Sequence, residues 1–199
     1  MAFKVASYNI LADAYLRRGW YPRVPPELLA RQRRRQALLE RVAGLDADVL
    51  CLQEVEKGAL ADLRARLAPL GYAVCHGRKG AGKPDGCATL VRGLAVREVR
   101  RLAFSDGEGR GGHSGHIALL VTVEHEGRAV CVVNTHVRWD PPGTPPGQGF
   151  APRQLGELLA QRPRGDGGAW PAGLDWILCG DLNLTPESPV LDLLRQEGL

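Results

Sequence analysis

The hydrophobic and polar residues of this chain follow two different periods, which predict a mixed series of strands and helices. Mostly apolar residues at 3–10 predict a first strand, and a stripe of leucines with Val42 predicts a helix at 27–44. The nearly continuous apolar run at 49–52 is typical of a buried strand. Beyond it, the pattern predicts strands near 72–75 and at 87–91, 94–102, 117–124, 129–134 and 176–179, and helices near 57–70 and at 153–160 and 189–196.

The connections between these elements predict how the strands pair. The short turn "HEGR" between 117–124 and 129–134 requires antiparallel neighbours, whereas the helices earlier in the chain permit parallel ones. The segment "DPPGTPPGQGF" at 140–150 is too rich in Pro and Gly for a regular element and predicts an exposed loop. We therefore expect an α/β protein with mixed sheets, forming one domain over residues 1–199.

The composition excludes several classes of protein. With 199 residues, 44% hydrophobic and 24% charged, the chain has an ordinary globular composition, and no apolar run approaches the roughly 18 residues that a membrane span needs. The start "MAFKVASYNI" lacks the features of a signal peptide. The five cysteines are odd in number and widely spaced, which predicts reduced thiols. We expect a cytoplasmic protein that does not interact with membranes.

The charge pattern offers only a weak indication of a partner. A formal net charge of +4 mildly favours an anionic partner. The run "RQRRRQ", which starts at Arg31, lies within the predicted helix. It is interpreted either as a solvated helix face or as an arm that contacts nucleic-acid phosphates.

Polar side chains gather where four predicted strands end. Residues at i and i+2 of an extended chain point to the same face, so a pair with that spacing can reach one site. Each residue taken singly also fits an ordinary role, such as a turn former or the first acid of a helix. Their shared position at strand ends favours a common site, whose candidates are Asn9, Glu54, Asn134 with His136, and Asp181 with Asn183.

This set of side chains suits a hard cation. Mg²⁺ prefers oxygen ligands, keeps several waters and is usually held by one or two carboxylates together with substrate phosphate oxygens. Glu54 is then the main ligand, while Asp181 holds or deprotonates the attacking water and the amides fix its geometry. The sequence therefore predicts a Mg²⁺ or Mn²⁺ site.

Five motifs in order resemble those of the endonuclease/exonuclease/phosphatase superfamily. They are "SYNILAD", "LQEV", "KPDGCATLV", "NTHVRW" and "CGDLNLTPESPVL". The "PDGCA" stretch resembles in particular the deadenylase, nocturnin and angel-like branch. The resemblance covers essentially the whole chain and implies a four-layer α/β sandwich, in which helices flank two packed mixed sheets, and metal-dependent cleavage of a phosphoester.

The resemblance also implies roles for individual residues. Glu54 is the metal ligand, with Asn9 and Asp181 at the metal. Asp181 and Asn183 orient the nucleophilic water and the phosphate, and His136, with Asn134, belongs to the catalytic set. The resemblance places Asp85 in a loop beside the substrate, and we take His116 and Arg138 as further candidates for substrate binding.

The chain departs from the family pattern at its end. The family normally closes with a further strand that carries an Asp-His or Asp-Tyr pair, and no Asp-His dipeptide occurs in this sequence. We expect a C-terminally truncated domain of a longer polypeptide, weakly active by itself; the alternative is a complete but impaired protein. His113 and His116, in "GGHSGH", are candidates for an additional phosphate contact.

The leading functional hypothesis is a Mg²⁺-dependent phosphodiesterase or phosphatase acting on RNA ends, which trims 3′ nucleotides or removes a terminal phosphate. Within the same superfamily, the alternatives are a DNA-repair endonuclease and an inositol or nucleotide phosphatase. From another class, a catalytically impaired nucleic-acid-binding module has kept the pocket and lost the chemistry. The expected partners are RNA and further domains of the same polypeptide.

Overall fold

The computed structural model describes residues 2–106, 114–145, 147–162 and 174–199. The helices within these ranges are α1 (Arg31–Gly44), α2 (Lys57–Leu67), α3 (Phe150–Leu159) and α4 (Leu191–Gln196). The strands are β1 (Val5–Asn9), β2 (Val49–Gln53), β3 (Ala73–Arg78), β4 (Gly86–Val91), β5 (Ala95–Ala103), β6 (Ile117–His125), β7 (Arg128–His136) and β8 (Asp175–Asp181).

The strands form two four-stranded sheets, and both sheets are mixed. The first has the order β1-β2-β4-β3, in which β1 and β2 are parallel and the other neighbours antiparallel. The second has the order β5-β6-β7-β8, in which only β7 and β8 are parallel. In each sheet the parallel pair is joined by a segment that contains a helix or a long loop, as parallel connection requires. The predicted mixed sheets are confirmed.

Apolar side chains fill the space between the sheets and the space outside each sheet. Between the sheets, buried residues of β2 and β4 pack against those of β6 and β7. The outer face of the first sheet packs against α1 and α2, and that of the second against α3 and α4. Fully burying one such Leu or Val stabilises the fold by about 1.5–3 kcal/mol. The layers confirm the predicted four-layer α/β sandwich.

Element boundaries differ from the predictions at two places that matter for the site. The helix predicted at 27–44 begins only at Arg31, because Ala30 is extended and separates it from a short 3₁₀ turn at Pro26–Leu29. The strands predicted to end at Asn134 and Cys179 continue to His136 and Asp181. These polar residues are therefore the last residues of paired strands, whose backbone fixes their direction.

The arginine run of α1 has a structural role in this fold. Arg31, Arg34 and Arg35 all pair with the carboxylate of Asp13, at 3.1, 2.5 and 3.1 Å. The side chains of Arg34 and Arg35 are only 19% and 13% exposed. Two of these arginines thus fix the segment after β1 instead of facing solvent.

Two further expectations concern the whole chain. The five cysteines are free thiols, and Cys51, Cys87 and Cys131 are buried. In the part of the chain that the structure describes, no helix combines the length and the apolar character that a bilayer crossing requires.

Candidate active site at the strand ends

The two parallel strand pairs bring their carboxyl ends to one edge of the sandwich. In the first sheet Asn9 lies opposite Gln53, one residue before Glu54. In the second sheet His136 lies opposite Asp181. Because β1 also packs beside β8, these four strand ends meet at one edge.

A glycine lets β8 approach β7 closely enough to bring Asp181 beside His136. Gly180 has a φ of +147°, and a Cβ atom there would lie 2.1 Å from the carbonyl oxygen of Thr135. No side chain fits at that distance, so the glycine of "CGDLN" is a steric requirement. The strand therefore ends with an acid held beside the neighbouring histidine.

The amide of Asn9 joins the two carboxylates of the site. Its Nδ2 donates to Glu54 Oε1 and to Asp181 Oδ2, each at 2.8 Å. The remaining oxygens accept from backbone amides, Glu54 Oε2 from Ala12 at 2.8 Å and Asp181 Oδ1 from Asn183 at 3.0 Å. The orientation of Asn9 is set in turn, because its Oδ1 accepts from the backbone N–H of Leu11 at 2.9 Å. Three residues that are distant in sequence thus form one polar cluster.

The chemistry of these donors fits a small hard cation. Each carboxylate offers about four acceptor positions, and Glu54 and Asp181 together use four for the hydrogen bonds just described. Two carboxylates with free acceptor capacity suit Mg²⁺ or Mn²⁺, which keep waters and take further oxygens from a phosphate. Among the described residues, no group of three or more His, Cys, Asp and Glu side chains is placed to hold a metal ion. Glu54 and Asp181 alone would leave most positions around such a cation to waters and to oxygens of a substrate.

Strained backbone marks the loops that carry this cluster. Leu11, Glu54 and Asn183 have φ values of +53°, +60° and +52°, although none is glycine. Such left-handed residues cost roughly 1–3 kcal/mol each and cluster where a site requires a fixed direction. At Glu54 the strain turns the chain out of β2 directly at the carboxylate.

His136 is the end of a buried chain of polar contacts. Lys79 Nζ lies 3.1 Å from His136 Nδ1 and 2.8 Å from Asp85 Oδ2, and Tyr15 donates its hydroxyl to Asp85 Oδ1 at 2.7 Å. Since an ammonium group only donates, Nδ1 of His136 accepts and the ring proton is on Nε2. That nitrogen faces Asp181 Oδ2 at 3.9 Å.

Burial and the positive charge of Lys79 shift the pKa values within this series of buried polar contacts. Burial would raise the pKa of the Asp85 carboxyl, but the ammonium of Lys79 and the Tyr15 hydroxyl outweigh it, so this pKa is lowered. Burial, and then the hydrogen bond to Asp85, raise the pKa of Tyr15 well above its ordinary range. Burial, and then Lys79, lower the pKa of His136. A neutral imidazole therefore faces the carboxylates at pH 7.

Not every predicted residue joins this cluster. Asn134 is fully buried and lies two residues before His136 on β7. Its Oδ1 accepts from Gln53 at 2.8 Å, and its Nδ2 donates to the carbonyls of Ala88 and Leu52 at 2.9 and 3.2 Å. The structure therefore places Asn134 between the two sheets, where it joins them. Asn183 donates its Nδ2 to the carbonyl of Val137 at 2.7 Å and orients Asp181 through its backbone.

The three residues predicted at the substrate lie around His136 in different settings. Asp85 is fully buried, and its two oxygens contact Lys79 and Tyr15. His116 lies with its ring 6.1 Å from that of His136, and burial, then Lys79, lower its pKa to about 3. The guanidinium of Arg138 stacks 3.7 Å over the ring of Phe150. His113 lies outside the described residues.

Sequence reasoning missed Lys79 and Tyr15. Tyr15 lies five residues after the end of the first predicted strand, and Lys79 is one of two lysines in the glycine-rich loop "HGRKGAGKPDG". No periodicity indicates that either side chain turns inward. The scarcity of lysine, four in the chain, was the one available signal that two of them in a single loop have a specific role.

Comparisons with known proteins find relatives over nearly the whole chain. The family model described as the Endonuclease/Exonuclease/phosphatase family matches residues 6–199. The CCR4-Not complex 3′-5′-exoribonuclease subunit Ccr4 of Yarrowia lipolytica is 28% identical over 98% of this chain and 34% of its own length. Protein angel homolog 2 of Homo sapiens is 28% identical over 99% of this chain and 37% of its own length. The chain thus spans about a third of these curated relatives.

Solved structures with the same fold agree with the family match. The crystal structure of ANGEL2, described as a 2′,3′-cyclic phosphatase, has a TM-score of 0.78 at 27% identity, over 98% of this chain and 56% of that one. The human Nocturnin catalytic domain with bound sulfate has a TM-score of 0.73 at 24% identity, over 96% of this chain and 67% of that one, which shows the shared fold. On the match over residues 6–199, this chain belongs to the endonuclease/exonuclease/phosphatase family.

Proposed function

We propose that this chain is a divalent-metal-dependent phosphoesterase that acts on the ends of RNA. The observation that carries the proposal is the polar cluster in which Asn9 joins Glu54 to Asp181 beside His136. The relatives support the substrate class, because one is named a 3′-5′-exoribonuclease and another is described as a 2′,3′-cyclic phosphatase.

The residues that would hold the cation are Glu54 and Asp181. A Mg²⁺ or Mn²⁺ ion supplies charge compensation for a phosphoryl oxygen when it is bound. Asn9 keeps the two carboxylates together, because its Nδ2 donates to one oxygen of each at 2.8 Å. Without this amide, two like charges so close to each other would repel. This arrangement fixes the position of the reacting phosphate before the reaction begins.

Asp181 and His136 carry the proton and the developing charge. Asp181 is placed to accept a proton from the attacking water, because its carboxylate is at the site and Asn183 holds one of its oxygens. His136 presents Nε2–H toward the same place and donates to a phosphoryl oxygen, with Lys79 behind it. Each group acts from a paired strand end, so little reorganisation is needed.

A substrate panel tests this proposal. We expect the chain, with Mg²⁺, to release product from single-stranded RNA with a 3′-hydroxyl or a 2′,3′-cyclic phosphate end at least tenfold faster than from abasic duplex DNA or inositol phosphates. The comparison requires equal substrate concentrations and initial rates. Preference for abasic DNA would identify a DNA-repair endonuclease, and binding of RNA without turnover of any substrate would identify an impaired binding module.

A further inference from the structure

A short basic and aromatic segment leaves the edge of the site directly after Tyr15. We refer to residues 17–23, "RRGWYPR", as the 17–23 segment. Its start is anchored, because Tyr15 bonds to Asp85 and Ala12 bonds to Glu54. The segment itself is turned by backbone hydrogen bonds from Trp20 to Arg17 and from Tyr21 to Arg18, at 2.9 and 3.0 Å. The segment is therefore an exposed turn whose start is anchored at the site.

The positive charge of the protein is concentrated around this segment. Between residues 13 and 35 the chain has seven arginines and two acids, a net charge of +5. Since the whole chain carries only +4, the remainder is nearly neutral. A polyanion therefore meets its attractive field at this side of the site.

The charged side chains of the segment are open to solvent, although Arg17 also donates its Nη1 to the carbonyl of Ala14 at 2.9 Å. Arg17, Arg18 and Arg23 are exposed, and within the described residues no carboxylate forms an ion pair with any of them. Their setting differs from that of Arg34 and Arg35, whose charges are paired with Asp13. Trp20 is 72% exposed, the largest exposed fraction among the large apolar side chains of the described chain.

Exposed arginines around an exposed indole match the chemistry of a single nucleic-acid strand. Bases stack on an aromatic ring whatever their sequence, and guanidinium groups pair with the phosphates. We propose that the 17–23 segment binds single-stranded RNA adjoining the end that is held at the active site. This inference rests on the proposed function for the choice of RNA, and it adds a second binding surface to that function.

The anchoring of Tyr15 limits how far this surface lies from the site. Trp20 is five residues after Tyr15, so their Cα atoms are at most about 18 Å apart. A ten-nucleotide strand extends over more than this distance, so one end of it can lie at the strand ends while a later base reaches Trp20. The effect of the segment should therefore appear with a ten-nucleotide substrate.

The test is the binding of a fluorescently labelled ten-nucleotide RNA, followed by anisotropy in EDTA so that metal-dependent hydrolysis does not occur. We expect Trp20→Ala to weaken binding about tenfold, within the range of a lost base stack. Replacing Arg17, Arg18 and Arg23 by Gln should lower the slope of log affinity against log salt by about 2, at about 0.7 for each charge. All four positions are exposed, so the variants should keep the fold.

A matched control removes the same charge elsewhere. The triple Gln variant of Arg64, Arg66 and Arg195, all exposed on α2 and α4, should change the affinity less than threefold. Equal binding by wild type and both 17–23 variants would overturn the inference. Binding of poly-glutamate as tight as that of RNA, with no effect of Trp20→Ala, would also overturn it. Segment-dependent RNA binding without hydrolysis would contradict the proposed function alone.

Discussion

Replacing Asp181 by Asn should lower the rate of phosphoester hydrolysis at least a thousandfold. The substitution keeps the size of the side chain but removes the negative charge that lies between the amide of Asn9 and the imidazole of His136. A general base typically contributes a factor of 10²–10⁴, and the same carboxylate is expected to hold the cation. Single-turnover rates on single-stranded RNA measure the loss without interference from product release.

The same strand supplies a matched control for this prediction. Asp175 begins β8, is exposed and pairs with Arg128 at 2.9 Å, about six residues from the site. Asp175→Asn should leave the rate within twofold of wild type, because a surface pair contributes little. If Asp181→Asn retains more than a tenth of the wild-type rate, Asp181 does not have the role assigned to it.

Replacing Lys79 by Met should destabilise the fold by about 3–5 kcal/mol, the cost of leaving one member of a buried ion pair without its partner. Lys79 and Asp85 are 2% and 0% exposed, so water cannot replace the lost ammonium group. The linear change of unfolding free energy with urea concentration measures the effect. The double variant Lys79→Met with Asp85→Leu should recover most of the loss, since no buried charge remains unpaired.

Lys83→Met tests whether loss of any lysine in this loop has the same effect. Lys83 is only half-buried, so its replacement should lower the unfolding free energy by less than about 1 kcal/mol. A cost below 1 kcal/mol for Lys79→Met, or a double variant no more stable than the single one, would show that the pair contributes little to the fold. The double variant keeps the comparison valid even if the single variant unfolds.

The fold could largely be predicted from the sequence because the central strands of both sheets, β2, β4, β6 and β7, are buried on both faces. Continuous apolar runs such as residues 49–52, which lie within β2, are hard to mistake, and the turn at "HEGR" fixed one antiparallel pair. The ends of the strands were harder to predict, because a polar last residue interrupts the apolar pattern from which a strand is predicted. His136 and Asp181 are held in β7 and β8 by backbone pairing, which side-chain pattern does not report.

The sequence predicted the part of the candidate site that is built from acids and amides at strand ends. It did not predict the part that is built from loops that fold back. The grouping of Asn9, Glu54 and Asp181 was predicted, and the structure brings them together. Lys79 contacts His136, and Tyr15 contacts Asp85, only because two loops fold back onto the site. Loops have no periodic sequence pattern from which such contacts could be predicted. The arginine run had two interpretations, and the position of Asp13 gives two of its arginines a structural role that neither of them included.

The rate of single-stranded RNA hydrolysis as a function of Mg²⁺ concentration, measured for wild type and Glu54→Ala, tests the central claim most directly. We predict a rate that rises with Mg²⁺ in the wild type, falls to background in EDTA, and requires at least roughly 10- to 100-fold more Mg²⁺ in the variant, a shift that even the outer partners of metal ligands cause. Hydrolysis that persists in EDTA, or the same Mg²⁺ dependence in both proteins, would contradict the claim that Glu54, held by Asn9 and Ala12, binds the cation of a metal-dependent phosphoesterase.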